Sequence, residues 1–447
     1  MKIGVYICHC GVNIAATVDI ERVTAFAQAL PNVTIARNYQ YMCSDPGQDL
    51  IKNDIKNLGL DRVVVAACSP RMHEPTYRNA CRSAGLNPYF FEMANIREQC
   101  SWVHPEKEEG TKKAMDLIAS AVAKVSLHEA LEENEVGVTH AVLVIGGGIA
   151  GIQASLDIAH SGFEVFLIEK SPTLGGHLGQ IDRILPNLQE TPSILTPKIK
   201  EVENHPLIHL LTHSEVEEVE GFVGNFKIRI RHDPRYVNPE KCNRCKKCEE
   251  VCPVRVPSEF DMGLIERKAI YLPSPHAIPF SYLIDSKNCL FLQKGECGKC
   301  REVCPEGAVQ FEEVGMEFQI EVGTIIIATG YDLFDPKLKP EFGYGLYKNV
   351  ITALEFERLI SLSGPTQGKL QINGKEPKNI VFIQCVGSRD KTLGNEYCSR
   401  VCCMYTAKHA YLAKEQIPEA RVTICYIDMR AFAKGAEEFY EQAQKKG

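Results

Sequence analysis

Residues 141–170 read AVLVIGGGIAGIQASLDIAHSGFEVFLIEK. An apolar strand runs into Gly146-x-Gly148-x-x-Gly151, a helix-like segment follows, and a second apolar strand ends on Glu169. Glycines in this position allow a tight turn and the close approach of a pyrophosphate to the helix N-terminus. An acid about twenty residues on accepts hydrogen bonds from a ribose. Strand, helix and acid are all in place, so the stretch reads as a Rossmann-type dinucleotide unit. Its candidate contacts are Gly146, Gly148, Ile149, Ala150, Gly151, Glu169 and Lys170. The alternative is a structural turn of this kind with no ligand.

Two neighbouring stretches favour FAD over NAD. Gly175-Gly176-His177 follows the acid, where flavoproteins turn toward the isoalloxazine. TIIIATGYD, at 324–332, places Ala328, Thr329 and Gly330 after a strand, as in flavoproteins that bind two dinucleotides. His177 could lie near the flavin and act on protons, or be an ordinary structural histidine. From 379 another β–α–β–α run begins, but its first strand enters Cys385-Val386-Gly387-Ser388-Arg389. Cysteine stands where an NAD(P)H motif has its first glycine, and no C-x4-C redox pair accompanies the flavin stretch. A flavin-dependent pyridine-nucleotide disulfide reductase is therefore disfavoured.

Between these units, residues 237–314 are rich in cysteine and proline with little periodicity. Cys242, Cys245, Cys248 and Cys252, followed by Pro253, keep the C-x2-C-x2-C-x3-C-P spacing of a bacterial ferredoxin. Cys289, Cys297, Cys300 and Cys304, followed by Pro305, repeat it with a widened first gap. In such modules the fourth cysteine of each run ligates the other cluster. One cluster is then expected on Cys242, Cys245, Cys248 and Cys304, and another on Cys252, Cys289, Cys297 and Cys300. A pair of zinc ribbons is the alternative, but those lack the trailing C-P.

A third set is Cys385, Cys398, Cys402 and Cys403. Cys385 ends a strand, and Cys398 and Cys402, four apart at a helix start, would share one face. By spacing alone the four could ligate a cubane or could be buried thiols packing as small hydrophobes. A fourth set is Cys8 and Cys10 after the first strand, Cys43, and Cys68 after a later one. Strand ends of a parallel sheet converge on one edge, which brings metal ligands together and equally brings together the side chains of an ordinary core.

The chain has 447 residues, 45% hydrophobic and 24% charged, which suits two to four soluble domains. A net charge of −7 argues against nucleic acid, whose phosphates need a basic face. No apolar run approaches the ~20 residues of a membrane span. MKIGVYICHCGVN reads as a first strand rather than a signal peptide. The 19 cysteines, an odd number at metal-ligand spacings, suit a reducing, anaerobic cytoplasm better than a disulfide framework. The expected fold class is α/β. The expected domains are a small α/β domain at 1–135, an FAD-binding part at 136–236, an inserted two-cluster module at 237–314, and the second FAD-binding part with an incomplete nucleotide-domain-like unit at 315–447.

Taken together these residues resemble the A-type subunits of the heterodisulfide reductase family. The likeness covers nearly the whole chain. It includes CHCGVNI, YMCSDPGQ, CSPRMHEPT and MANIREQCSWVH, the glycine motif with GGHLGQID, both ferredoxin runs, and QCVGSRD with YCSRVCCMYTAKHA. The resemblance implies a thioredoxin-reductase-like FAD domain carrying an inserted ferredoxin domain. It implies an FAD that splits electron pairs between a high-potential and a low-potential acceptor, and a third [4Fe-4S] cluster on the Cys385 set. A fourth, on Cys8, Cys10, Cys43 and Cys68, stays open. The partners it implies are B- and C-type subunits, a hydrogenase, formate or NADH input module, and ferredoxin.

The sequence departs from the family twice. Members commonly carry a cysteine just before ILTPK, where this chain has Gln189-Glu190-Thr191-Pro192-Ser193. The chain also stops before the flavin domain is complete, so a fragment, or a split gene with a second chain supplying the rest, is expected. The competing function is a non-catalytic iron–sulfur electron-transfer or scaffold subunit without tightly held FAD.

Overall fold

The computed structural model describes residues 1–447, which divide into two compact units, Met1–Glu135 and Val136–Gly447. The first unit alternates β1 (Ile3–Cys8), α1 (Ile20–Gln28), β2 (Val33–Tyr39), α2 (Asp45–Leu58), β3 (Arg62–Ala67), α3 (Pro70–Ser83), β4 (Phe91–Asn95) and α4 (Lys107–Ser126). The strands are all parallel, in the order β2-β1-β3-β4. Along β1, Ile3, Val5 and Ile7 pack with α1 and α4. Tyr6 and Cys8, pointing the other way, pack with α2 and α3. The period of two thus serves two cores, as a parallel sheet buried on both faces requires.

α2 starts at Asp45, because Pro46 suits a first turn whose N–H groups are unpaired anyway. α4 starts at Lys107, with Glu108 and Glu109 favouring the positive end of its dipole. α3, with Pro75 inside it, and the half-polar β4 carry little periodicity of their own.

The second unit opens with β5 (Ala141–Ile145), α5 (Ile149–His160) and β6 (Glu164–Glu169). A short ribbon of β7 (Arg183–Ile184) and β8 (Gln189–Glu190) leads to α6 (Thr191–Asn204) and β9 (Ile208–Thr212). The antiparallel pair β10 (Ser214–Phe222) and β11 (Asn225–His232) follows. Then come the small elements of the cysteine-rich stretch: α7 (Lys247–Val251), β12 (Arg255–Pro257), β13 (Glu266–Lys268), β14 (Ile270–Tyr271), β15 (Leu283–Ile284), α8 (Leu290–Lys294) and α9 (Lys299–Glu302). The chain returns through β16 (Met316–Val322) and β17 (Thr324–Ile327), and continues as α10 (Ala353–Ile360), β18 (Asn379–Ile383), α11 (Cys402–Gln416), β19 (Arg421–Cys425) and α12 (Ala436–Lys445).

A parallel sheet β17-β5-β6-β9 carries α5 and α6 on one face and the three-stranded sheet β10-β11-β16 on the other. The stretch EFQIEVGTIIIATGYD forms two strands in two sheets. The break falls at Gly323, where a Cβ would lie 2.2 Å from the Thr139 carbonyl oxygen. β11 pairs with β16 from Phe226↔Val322 to His232↔Met316, so residues 233–315 leave and re-enter the domain at opposed positions of one pair. β18 and β19 form a separate parallel pair against α10 and α11.

Candidate functional site

The glycine motif joins β5 to α5 at the carboxyl edge of the parallel sheet, where open α/β sheets bind ligands. Gly146 has φ +111°, and a Cβ there would lie 2.3 Å from the Ala328 carbonyl oxygen; at Gly151 it would lie 1.8 Å from the Gly146 oxygen. Both positions need glycine so that β5, β17 and α5 can approach one another. Gly148 is different. Nothing lies within 4 Å of its added Cβ, so it faces open space in front of the α5 N-terminus, which Ile149 and Ala150 begin.

Glu169 is buried and accepts the Gly147 N–H at 2.5 Å and the Ser171 N–H at 2.7 Å. Lys170 beside it is exposed. Gly176 and His177 open a short turn that packs against α6, and Gly176 lies close to Gly148. His177 stacks on Tyr331 at 4.8 Å; its ring nitrogens bond the Gln180 side chain and the Tyr331 carbonyl oxygen, each at 3.1 Å. Ala328 donates its N–H to the Ile145 carbonyl at 2.8 Å, holding Thr329 and Gly330 beside the motif. Open space at Gly148, framed by backbone that admits no other side chains, fits a dinucleotide.

In the cysteine-rich stretch the eight thiols fall into two groups. Cys242, Cys245, Cys248 and Cys304 line one pocket with Val237, Tyr282, Ala308 and Val309. Cys252, Cys289, Cys297 and Cys300 line another with Ile270, Phe291 and Phe311. Each group contains the fourth cysteine of the opposite run. Burial pushes the Cys248 and Cys300 thiols up to about 12, and neighbouring cysteines add to it. Four thiols in an apolar pocket, poor thiolates by themselves, fit the donor set of an iron–sulfur cluster, whose iron deprotonates its ligands.

The third set gathers at the carboxyl end of β18. Cys385, at φ +59°, puts its Sγ 4.0 Å from that of Cys402, and burial followed by the Cys402 charge raises it to about 11. Cys403 donates weakly to the Asp428 carbonyl at 3.7 Å. Cys398 is not on the helix face expected for it. α11 begins only at Cys402, because Arg400 at φ +64° keeps the preceding turn out of the helix. Its Sγ instead accepts the Arg400 N–H at 3.3 Å.

In the N-terminal unit Cys8 ends β1, Cys10 lies in the turn after it, Cys43 follows β2, and Cys68 follows β3. The chain crosses over between β1 and β3, so these ends flank the switch point of the sheet. The backbone N–H groups of Cys10 and Met42 donate to Cys8 Sγ at 3.3 and 3.4 Å.

Two buried clusters carried no sequence motif. Arg358 on α10, 1% exposed, donates to Asp261 Oδ1 at 3.0 and 3.1 Å and to the Gln180 carbonyl at 3.2 Å. Gln180 also donates to the Phe260 carbonyl at 3.0 Å, so the turn after His177 is tied to the inserted stretch twice. Glu357 bonds Lys408 Nζ and, at 2.6 Å, His409 Nε2; Lys408 also donates to the Arg183 carbonyl at 2.8 Å. Burial drives His409 toward its neutral form. Burial would raise Glu357, but the hydrogen bond of His409 and the charge and hydrogen bond of Lys408 hold it below the ordinary carboxylate range.

Residues 141–183 match the FAD dependent oxidoreductase family, and residues 235–258 match the 4Fe-4S binding domain. Over its whole length the chain is 53% identical to the A-type subunit of the H2:CoB-CoM heterodisulfide,ferredoxin reductase of Methanothermobacter marburgensis, covering 67% of that protein. The chain belongs to the family of heterodisulfide reductase A-type subunits. It is 48% identical over 99% of its length to the A-type subunit of the H2/formate:CoB-CoM heterodisulfide,ferredoxin reductase of Methanococcus maripaludis, again covering 67% of the relative. Thioredoxin reductase of T. acidophilum is a distant structural neighbour, 14% identical over 43% of this chain and 77% of that one, with a TM-score of 0.18, too low to carry any argument. As a family member the chain is an oxidoreductase subunit of the FAD and 4Fe-4S class. No helix is long and apolar enough to cross a membrane.

Proposed function

We propose that this chain is the electron-branching subunit of a heterodisulfide reductase-type complex. It takes electrons from a hydrogenase, formate or NADH module and passes them along two routes, one to ferredoxin and one, through B- and C-type subunits, to a disulfide. The FAD supplies the exchange between two-electron and one-electron chemistry. Gly146, Gly148 and Gly151 would hold its pyrophosphate, Glu169 its ribose, and the 175–177 turn with Ala328–Gly330 its ring system. His177, held by Gln180 and the Tyr331 carbonyl, is the candidate proton carrier there. The Cys242/Cys304 and Cys252/Cys289 groups hold two [4Fe-4S] clusters, the Cys385 set a third and the Cys8 set a fourth. The reading places the chain in the cytoplasm.

The observation that supports this most is the double tie between the flavin-side turn and the inserted module, through Arg358–Asp261 and Gln180–Phe260. A carrier on one side and clusters on the other are thereby held at fixed separation. The names of the relatives, which include hydrogen, formate and ferredoxin, support the choice of donors and acceptors. One observation favours the second reading, a wire or scaffold without tight FAD. The Glu169 carboxylate already accepts bonds from Gly147 and Ser171, which leaves fewer lone pairs for a ribose. Flavin, iron and sulfide per polypeptide, measured without oxygen, separate the two. Stoichiometric FAD with about sixteen irons, for four cubanes, is the expected result; about twelve removes one of the two outer sets and about eight removes both. Iron without FAD makes the chain a wire; zinc in place of iron ends both readings.

A further inference from the structure

The side chains around the Cys8 set include one that the protein itself leaves without a partner. Tyr77 on α3 is 1% exposed, and its hydroxyl makes no hydrogen bond. Its ring is wedged against Phe91 at 6.0 Å and His73 at 6.4 Å, beside Cys8 and Met42 in the same core. Cys10 and Cys43 pack against that same core. A buried hydroxyl with no acceptor is costly, and phenylalanine would fill the same space without that cost. An ordinary core gives no reason for the oxygen.

A second donor is already engaged. Arg97 Nη1 lies 3.1 Å from Cys10 Sγ. The guanidinium is pinned by Glu98 at 2.6 Å and lies 4.9 Å over Trp102, so it cannot swing to solvent freely. With the N–H groups of Cys10 and Met42 on Cys8, the sheet edge presents donors to sulfur from a backbone turn, a loop and a guanidinium, and the unpartnered phenol lies in the core beneath.

We propose that the Tyr77 hydroxyl and the Arg97 guanidinium are hydrogen-bond donors to the sulfurs of a cluster on Cys8, Cys10, Cys43 and Cys68, and that they set its reduction potential. This rests on the reading that those cysteines hold a cluster. Reduction places charge on the sulfurs, so donors aimed at them stabilise the reduced form and raise the potential. Both are positioning residues; neither ligates iron.

The test uses the full chain, purified without oxygen, in four variants. Cys43→Ser comes first: loss of about four irons and of one reducible signal identifies the N-terminal cluster. No loss of iron ends the underlying reading, whatever the other variants do. With the signal identified, Tyr77→Phe is expected to keep its iron and shift that signal's midpoint negative. A tenfold shift in the one-electron equilibrium is about 59 mV. Arg97→Gln is expected to shift it the same way, and Arg97→Lys to recover most of the change. Unaltered midpoints overturn the proposal. So does loss of the four irons in Tyr77→Phe with the fold intact, which makes Tyr77 an assembly residue. A second measurement needs no cluster. In the iron-free chain, Tyr77→Phe is expected to leave amide protection of β3 unchanged or higher, since it removes an unpaired group. Lower protection means the hydroxyl has a protein partner and overturns the proposal.

Discussion

The inserted module and the edge of the N-terminal sheet both gather cysteines, and they do so by opposite means. In the module the spacing along the chain groups the thiols, and little else is present to fold it: its buried apolar cluster has nine residues, two of them Cys248 and Cys289. In the N-terminal unit the thiols sit on three strand ends, brought together by the order β2-β1-β3-β4, over apolar clusters of eighteen and thirteen buried residues. On the proposed reading the first arrangement would use metal as its core, whereas the second has an apolar core of its own.

The largest effect that would sharpen this contrast is removal of iron by a chelator. Metal binding is folding free energy where no other core exists. Hydrogen exchange is expected to show residues 237–314 exchanging as unfolded chain while β1 and β3 keep their protection. Equal loss in both regions breaks the comparison.

Next comes the joint between module and flavin-side turn. Arg358→Met leaves Asp261 buried and unpaired, and removing one partner of a buried ion pair costs about 3–5 kcal/mol. Urea unfolding followed at the cluster absorbance should show that loss; a double change with Asp261→Leu should recover much of it. Failure of the double variant to recover would mean the pair serves the Gln180 turn more than the module.

A smaller and more local change is Gly151→Ala. A Cβ there lies 1.8 Å from the Gly146 oxygen, so α5 must shift away from the turn. Flavin content is expected to fall sharply while iron per chain stays constant, which would show that the cradle and the module load independently.

The smallest effect is the pH dependence of the Glu357–Lys408–His409 cluster. His409 is pushed below its ordinary value by burial, and Glu357 is held below its own by His409 and Lys408. Both bind a proton less readily folded than unfolded. The unfolded chain therefore takes up more protons on acidification, and stability is lost as pH falls below about 6.5 and again below about 4.3. Urea midpoints should decline across that range, and His409→Gln should flatten the upper part.

How far the sequence was legible follows from the same contrast. The β5–α5–β6 unit and both ferredoxin runs were readable because each is defined by spacing within a few dozen residues. The partition of eight thiols into two cavities also follows from the spacing rule. The N-terminal set was ambiguous because convergence of strand ends depends on sheet order, which no local pattern carries. Arg358 was invisible for a related reason: its partner Asp261 is 97 residues away, in a stretch with no periodicity. Glu357 and His409 are 52 apart, and nothing in ALEFERLI or TAKHA marks them as a pair. Cys398 was misplaced because the four-residue spacing to Cys402 suggested a helix that Arg400 interrupts.

The pairing of His232 with Met316 has a consequence for how such proteins diversify. Because the inserted stretch departs and rejoins across one rung of an antiparallel ladder, its length is irrelevant to every other strand register in the domain. A short turn in its place would leave a plain hairpin. The rung therefore lets the stretch between β11 and β16 vary in length while the glycines of the nucleotide cradle stay where they are.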